Sequence, residues 1–364
     1  MIKVIAFKNE HTIYNNIREA VNKLDIKEDL YIIGLDLHAS IDHIDYKDIF
    51  IEVYNSNNKF ILYLEEPSAF ASTEIGPDGH WQITGGVPYQ IINNFISNNK
   101  FLGFFTHIKS ACSAMSTEYG LPCYYLPISM EYKDRNRIKK RIDSLQDYNR
   151  PVNFLNWGTF RSQAQIEQAK QNIPHSFVLQ DEQHQYKNRG GDIVDILIGS
   201  LLQNGINCTY SYRSFNKRPI HLQFPDKINM YSDYLDINEL DELFYNTDMF
   251  LLPADQIRAC SISRAMSFGI PCLVTNGWGF DELCLDGFNS IVIDKKNCDT
   301  CRNRGLPVCQ HILDSTVDRF IKLVNSRTIL QNLSYNTLSD SVINYDKDSY
   351  TEQIKKIFNY LDIR

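Results

Sequence analysis

Three cysteines and a histidine lie close together in the last third of the sequence. Cys298 and Cys301 form a C-x2-C pair, and Cys309 and His311 follow a turn that contains Gly305. Thiolate sulfur and imidazole nitrogen are preferred ligands of zinc, and four of them complete a tetrahedral structural site. We therefore predict a structural zinc ion at this cluster, with no coordination position left open for chemistry. The alternative is that the thiols hold no metal.

Two adjacent carboxylates, Glu65 and Glu66, stand at the end of the apolar run KFILYLE (59–65). Ligands of open α/β sheets bind beyond the carboxyl ends of the strands. A carboxylate at such a strand end can take a proton from a hydroxyl group of a substrate. We predict that Glu66 is a general base, with Glu65 as its substitute. The alternative is a carboxylate that caps the adjacent loop.

The run WGTFRSQ (157–163) follows another apolar segment that is typical of a buried strand. Its small residues Gly158 and Thr159 offer backbone N–H groups, and Arg161 adds a positive charge. Such a loop suits the binding of phosphate groups, and we predict that Arg161 stabilises a departing diphosphate. The alternative for this arginine is a solvated surface charge.

Lys187 and Arg189 come directly before Gly190 and the apolar helical pattern of residues 192–205. The first turn of a helix presents free N–H groups and the positive end of the helix dipole, which together attract anions. We predict that Lys187 and Arg189 neutralise a diphosphate at this helix start. A solvated surface charge is again the alternative for each of them.

Residues 239–293 carry the most specific signal in the chain. They read ELDELFYNTDMFLLPADQIRACSISRAMSFGIPCLVTNGWGFDELCLDGFNSIVI, which predicts a helix, a buried strand, a second helix and a strand, followed by a glycine-rich turn. We expect the second helix to open near residue 261 with serine N-caps, and the turn to allow close backbone contact with a ligand. The predicted ligand-binding residues of this segment are Arg258, Ser261, Ile262, Ser263, Arg264, Gly277, Gly279 and Glu282.

This segment resembles the nucleotide-sugar-binding half of glycosyltransferases with two facing Rossmann-like domains, closest to glycosyltransferase family 4. NTDMFLLPA matches the end of a family helix and the apolar strand that ends in Pro-Ser. Three further segments match family patterns: RAMSFGIPCLV matches "EAMA-G-PVV", GWGFDE matches "GG-x-x-E", and DGFNSIVI matches "DG-x-N-G-x-LV". Weaker matches extend over most of the chain. The resemblance implies an α/β fold of GT-B architecture, with two facing Rossmann-like domains and a cleft between them. It also implies that a nucleotide-diphosphate sugar, such as a UDP-sugar, binds the second domain.

The sequence departs from this family at its paired glutamates, which fall on Gln256 and Arg264. The second glutamate normally binds a ribose hydroxyl, and a guanidinium has no acceptor for that role. Arg264 either forms a structural ion pair with a nearby carboxylate or, with Arg258, makes charge-assisted bonds to a phosphate of the donor. The family retains the anomeric configuration and needs no general base, whereas a base at Glu66 would belong to an inverting reaction.

Apolar runs and helical patterns alternate through both halves of the chain, which predicts parallel sheets covered by helices. FIEVY (50–54) is among the runs that we predict as strands. The polar stretch 131–151 separates the halves, and we place the domain boundary near residue 148. The predicted parts are an acceptor-side domain (1–148), a nucleotide-sugar-binding domain (149–345) with a Cys-rich insertion at 295–311, and a C-terminal helix (346–364) that packs back toward the first domain.

Composition narrows the class of protein. A net charge of -7 argues against tight nonspecific binding to nucleic acid, and 43% hydrophobic residues argue against disorder. No apolar run approaches the length of a membrane span, and the first twenty residues lack the features of a signal peptide. An odd number of cysteines, nine, without a signal peptide favours reduced thiols in the cytoplasm.

These observations predict a cytoplasmic glycosyltransferase of polysaccharide biosynthesis that needs no cofactor for its chemistry. The expected acceptor is a glycan or lipid-linked glycan, reached by peripheral contact with the inner membrane face. One alternative is a transferase acting on modified DNA bases, because GTFRS (158–162) resembles a loop of phage DNA β-glucosyltransferase. The other is a non-catalytic binding protein with a degenerate site, which Gln256 and Arg264 would explain.

Overall fold

The computed structural model describes residues 2–5, 12–35, 51–53, 55–64, 74–75, 81–82, 95–131, 133–158, 186–187, 189–233, 235–254, 259–276 and 282–363. The described residues form two compact units. The first consists of those within Met1–Ser129 and Tyr345–Arg364, and the second of those within Met130–Asn344. Each unit has its own parallel sheet, so the α/β alternation predicted from the sequence is confirmed.

The strands are short and mostly apolar. In chain order they are β1 (Ile2–Ile5), β2 (Leu30–Leu35), β3 (Lys59–Leu64), β4 (Glu74–Ile75), β5 (Trp81–Gln82), β6 (Phe101–Thr106), β7 (Cys123–Tyr125), β8 (Val152–Asn156), β9 (Cys208–Arg213), β10 (Ile228–Tyr231), β11 (Met249–Leu252), β12 (Cys272–Thr275) and β13 (Ser290–Ile293).

The helices that the structure describes cover these sheets and fill the C-terminal part of the chain. They are α1 (Thr12–Asn22), α2 (Lys109–Tyr119), α3 (Arg135–Asp143), α4 (Gly191–Gln203), α5 (Pro219–Gln223), α6 (Ile237–Tyr245), α7 (Ala259–Ser267), α8 (Asp299–Asn303), α9 (Gln310–Asn325), α10 (Arg327–Tyr345) and α11 (Lys347–Tyr360).

The sheet of the first unit pairs its five parallel strands in the order β1-β2-β3-β6-β7. β3 is buried along almost its whole length, as expected of a parallel strand that helices cover on both faces. The C-terminal helix α11 packs against α1 in this unit. Lys347 pairs with Glu19 at 2.7 Å, and the side-chain amide of Gln353 donates to the carbonyl oxygen of Tyr125 at 2.9 Å.

The sheet of the second unit has the strand order β10-β9-β8-β11-β12-β13, and all of its strand pairs are parallel. In chain order this is 3-2-1-4-5-6, the order of dinucleotide-binding Rossmann sheets. The order reverses between β8 and β11, and ligands of such sheets bind where these two strands end. We call the edge at which β8, β11, β12 and β13 end the carboxyl edge.

The core of the second unit is built on the apolar face of α4. Val194, Leu197 and Leu201 are fully buried on this helix and belong to one cluster with Phe154 of β8 and Leu251 of β11. Burying such side chains is worth about 1.5–3 kcal/mol each. The core therefore fixes the start of α4 relative to the ends of β8 and β11.

The polar stretch 131–151, which separates the halves in the sequence, contains the packed helix α3. In α3, Arg141 is fully buried and donates hydrogen bonds to the carbonyl oxygens of Phe268 (2.8 Å) and Gly269 (3.0 Å), and also to that of Thr247. These contacts place α3 in the second unit. Among the described residues, the chain passes from one unit to the other between Ser129 and Met130, before α3, whereas the predicted boundary lies near residue 148, after α3.

One predicted strand has a different structure. Residues 51–53 of the run FIEVY form a helical turn, although their composition favours a strand. Val53 is buried there against Phe60 and Phe104 of the first sheet, while Ile51 is 45% exposed. Tertiary packing of one apolar side chain therefore outweighs local strand propensity at this position.

Candidate functional site

The carboxyl edge of the second sheet begins at the end of β8. The buried side chain of Asn156 donates a hydrogen bond to the carbonyl oxygen of Leu251 on β11, at 2.5 Å. Arg213, which is also buried, donates to the carbonyl oxygen of Gly158 at 3.2 Å. These two contacts hold the end of β8 and its following residues at the point where the strand order reverses.

The turn before α4 packs directly on the end of β11. Gly190 has a left-handed backbone with φ of 68°, and its N–H donates to the carbonyl oxygen of Lys187 at 2.8 Å. A Cβ atom on Gly190 would lie 2.0 Å from the carbonyl oxygen of Pro253. A side chain at this position therefore cannot be accommodated without moving backbone.

Two of the predicted phosphate-binding residues come together here. A Cβ atom on Gly158 would lie 2.5 Å from the Nη1 atom of Arg189, so this guanidinium lies against the glycine after β8. Lys187 is exposed on the same turn. The structure thus places Gly158, Lys187 and Arg189 around the start of α4, and their role in binding phosphate stays a prediction.

Lys295 is a basic residue near this edge that the sequence analysis missed. Lys295 follows β13, and its backbone N–H donates to the side-chain oxygen of Asn276 at 2.8 Å. Burial lowers the pKa of Lys295, and the nearby carboxylate of Asp192 opposes this shift. Burial raises the pKa of Asp192, which lies in the first turn of α4. Lys187, Arg189 and Lys295 therefore give the start of α4 an excess of positive charge over Asp192 among the residues that the structure describes.

A buried polar network supports this turn from behind. Tyr186 donates its hydroxyl to Asp195 at 2.7 Å, and Arg218 lies 3.6 Å from the same carboxylate. Arg218 also donates to the hydroxyl of Tyr210 at 2.7 Å. The one signal for this network in the sequence was an aspartate within the apolar helix pattern DIVDILIG, because buried carboxylates need partners.

The network predicts a pH-dependent contribution to stability. Burial raises the pKa of Asp195 to about 6, so this carboxyl binds its proton more tightly in the folded chain than in the unfolded chain. Its contribution to the free energy of unfolding then falls as the pH rises from about 4 to about 6, and is constant above that.

Replacing Asp195 by Asn should remove this pH dependence, which changes the free energy of unfolding by about 1–3 kcal/mol between pH values of about 4 and about 6. The measurement is urea-induced unfolding of wild type and Asp195→Asn at a series of pH values between about 4 and 7. The difference in the free energy of unfolding at neutral pH reports the loss of the carboxylate partner of Arg218. The difference in how this free energy changes with pH reports the proton that Asp195 binds. Identical slopes would contradict the assignment.

The helix α7 starts earlier than the sequence suggested. It begins at Ala259, so Ser261 lies within its first turn and Ser263 in its middle, and neither is the N-cap. Ile262 and Ser263 are buried, and Ser261 is partly buried. Glu282 lies at the end of the glycine-rich segment and is partly buried.

Arg264 forms an ion pair within the second unit. Its guanidinium donates to the carboxylate of Asp241 on α6, and Lys133 lies 2.7 Å from the same carboxylate. The Arg264 guanidinium also lies 5.5 Å from the ring centre of Phe244. Of the two accounts of Arg264 given by the sequence, these contacts match the structural ion pair.

Several predicted site residues lie outside the described part of the chain. They are Glu65, Glu66, Thr159, Arg161, Gln256, Arg258, Gly277 and Gly279.

The cysteine cluster lies beyond the end of β13. The sulfur atoms of Cys298, Cys301 and Cys309 all lie within 4.8 Å of one another, and these residues could hold a metal ion. The backbone N–H of Cys298 donates to the Cys309 sulfur at 3.1 Å. A hydrogen bond from the backbone N–H of Cys301 lowers the pKa of the Cys298 thiol.

His311 is not part of this group, so the predicted set of four ligands is wrong in that residue. Cys309 is the N-cap of α9, and His311 is the second residue of this helix. His311 instead lies near Asp294, whose pKa is lowered first by a hydrogen bond from Lys296 and less by His311.

A cavity of about 580 Å³ also lies on one face of the second sheet. Its lining includes Asn153, Thr209 and Asn229, each the second residue of its strand. Tyr231, the last residue of β10, and Glu239 and Leu243 of α6 also line it, so the cavity extends along the strands between this face and α6.

No protein-family model and no curated protein matches the chain. Solved structures do resemble it. WaaG, a glycosyltransferase involved in lipopolysaccharide biosynthesis, superposes with a TM-score of 0.58 at 11% identity over 99% of both chains. Anabaena HepE in complex with UDP gives a TM-score of 0.58 at 10% identity, again over 99% of both chains. The chain has the GT-B fold.

A third neighbour is longer than this chain. The S. aureus TarM mutant in complex with fondaparinux, α-GlcNAc-glycerol and UDP gives a TM-score of 0.53 at 11% identity. The match covers 93% of this chain but 58% of TarM, so the chain spans little more than half of that protein. A further finding concerns membranes: none of the described helices is both long and apolar enough to cross one.

Proposed function

We propose that this GT-B protein transfers a glycosyl group from a nucleotide-diphosphate sugar to a glycan or lipid-linked glycan. The observation that carries the proposal is the charge at the carboxyl edge. Lys187, Arg189 and Lys295 surround the start of α4, where the strand order reverses. Among the structural neighbours, HepE is crystallised with UDP-glucose and with UDP and glucose, which supports a UDP-sugar as donor.

In the proposed reaction, an acceptor hydroxyl oxygen forms a bond to the anomeric carbon while the bond from that carbon to the diphosphate breaks. The diphosphate leaves with additional negative charge. The N–H groups at the start of α4 and the cationic side chains of Lys187 and Arg189 stabilise this charge. Arg161 is a further candidate for this role.

The acceptor proton and the stereochemical outcome depend on residues outside the described part of the chain. We propose Glu66, or Glu65 in its place, as the general base of an inverting reaction. Membership of glycosyltransferase family 4, whose members retain configuration, would instead make a base unnecessary. The cytoplasmic location, the peripheral contact with a membrane and the acceptor role of the first unit are also proposals.

The proposal is tested with a panel of nucleotide sugars, each incubated with the purified full chain. Released nucleotide is measured with and without a mixture of glycan and lipid-linked acceptors. We expect at least one donor to release nucleotide, faster when an acceptor is present. Binding of a nucleotide by calorimetry without any release would favour the non-catalytic alternative, to which Gln256 and Arg264 point.

Because Arg264 is engaged by Asp241, we propose that it stabilises the fold and does not bind the donor. Arg264→Met should then lower the free energy of unfolding by about 1 kcal/mol, the range of a partly exposed ion pair, and change the Kd for UDP less than about twofold. Unfolding is followed in urea, and binding by calorimetry.

Asp241→Asn is the matched variant, and the two changes together should cost less than the sum of their single effects. A marked loss of UDP affinity in Arg264→Met alone would contradict this role. It would favour the account in which the guanidinium contacts a phosphate of the donor.

A further inference from the structure

The segment between β13 and α9 has little apolar burial of its own. It contains the five-residue helix α8 and a turn at Gly305, whose φ is 74°. Val308 is buried in the core of the second unit, and Leu306 packs partly against that core.

The three thiols of this segment have the spacing of a mononuclear site. Their sulfur atoms lie within 4.8 Å of one another. A tetrahedral zinc ion with zinc–sulfur distances of about 2.3 Å places its sulfur ligands about 3.8 Å apart. The ion therefore fits between the sulfurs after small side-chain rotations.

A backbone N–H group is directed at one of the sulfurs. The N–H of Cys298 donates to the Cys309 sulfur at 3.1 Å. Such outer hydrogen bonds orient metal ligands and stabilise the charge of thiolates. Neutral thiols in a surface segment would gain little from this arrangement.

We propose that Cys298, Cys301 and Cys309 bind one zinc ion through three thiolates, with solvent as the fourth ligand. Soft sulfur ligands select zinc over magnesium or calcium, which prefer oxygen. Among the described residues, no histidine or carboxylate joins the three sulfurs. Cys298 is exposed, so solvent can reach the proposed ion and supply its fourth ligand.

The ion would fasten the start of α9 to the segment that leaves the sheet. Cys309 is the N-cap of α9, and Cys298 is the N-cap of α8. Lys295, which approaches Asp192 at the start of α4, lies three residues before the first ligand. The zinc is structural, and it belongs to the same unit as the proposed donor site without taking part in the transfer.

The test is metal analysis of the full chain purified under reducing conditions. We expect one zinc per chain, and X-ray absorption should report three sulfur ligands at about 2.3 Å with one light atom. Cys301→Ser should lose the zinc and lower the melting temperature by at least about 5 °C. His311→Ala is the matched control and should keep both.

A second measurement covers the case in which Cys301→Ser does not fold. The wild type is stripped with a chelator and titrated with zinc, which should restore one equivalent and the original melting temperature. Wild type that holds no zinc and takes none up under reducing conditions overturns the proposal. Loss of zinc in His311→Ala would overturn the three-thiolate ligand set.

Discussion

Lys187→Met should lower the rate constant of glycosyl transfer about 10²–10³-fold, the largest effect that we expect on activity. This is the usual cost of removing one group that stabilises charge developing in a transition state. Lys187 is exposed on the turn before α4, and its backbone carbonyl accepts the hydrogen bond that closes this turn. Removing the ammonium group should therefore leave the turn folded while it removes the charge.

The rate is measured with donor and acceptor both saturating, and UDP affinity is measured separately by calorimetry. Lys187→Arg should recover part of the rate, because it restores the positive charge. Lys227→Met is the matched control. Lys227 is also an exposed lysine of the second unit, but it does not lie beside the start of α4. A Lys187→Met rate within about threefold of wild type would remove Lys187 from the proposed mechanism.

The fold of the second unit could largely be predicted from the sequence because its elements are marked by apolar patterns. The runs that became β8, β11, β12 and β13 lie between turn residues, and α4 carries a long apolar pattern closed by glycine. Buried parallel strands need uninterrupted apolar residues, so their composition is visible without tertiary information. The Rossmann strand order then places their ends at one edge.

The helix α3 could not be predicted in this way. Its sequence, RNRIKKRID, is rich in charge, and the burial of Arg141 depends on carbonyl groups that lie more than a hundred residues away. A buried guanidinium is stable only when such acceptors are present. Local composition shows the charge and not the acceptors, so the sequence analysis predicted no buried helix here.

The metal cluster shows a similar limit. Spacing alone grouped His311 with the three cysteines, because close positions in the sequence suggest close positions in space. The start of α9 at Gln310 decides which side chains face the sulfurs, and the spacing did not reveal it. The network of Tyr186, Asp195 and Arg218 was missed for the same reason, since Arg218 is more than twenty residues from the other two in the sequence.

Gly190→Ala should give the largest loss of stability. Its backbone lies in the left-handed region, which costs any residue with a side chain about 1–2 kcal/mol. The new methyl group would also lie 2.0 Å from a main-chain oxygen of Pro253, so either β11 or α4 must move. We expect the free energy of unfolding to fall by about 4 kcal/mol or more.

Gly205 provides the matched control, because it lies just beyond the other end of α4. Its φ of 70° is nearly that of Gly190, but a Cβ atom on Gly205 would meet nothing within 4 Å. Gly205→Ala therefore carries only the backbone cost of about 1–2 kcal/mol. Unfolding in urea, followed by circular dichroism, measures both variants. Equal losses would mean that contact with Pro253 is not what holds the start of α4. A larger loss in Gly190→Ala, together with weaker UDP binding in the fraction that folds, would show that this contact positions the basic turn at the end of β11.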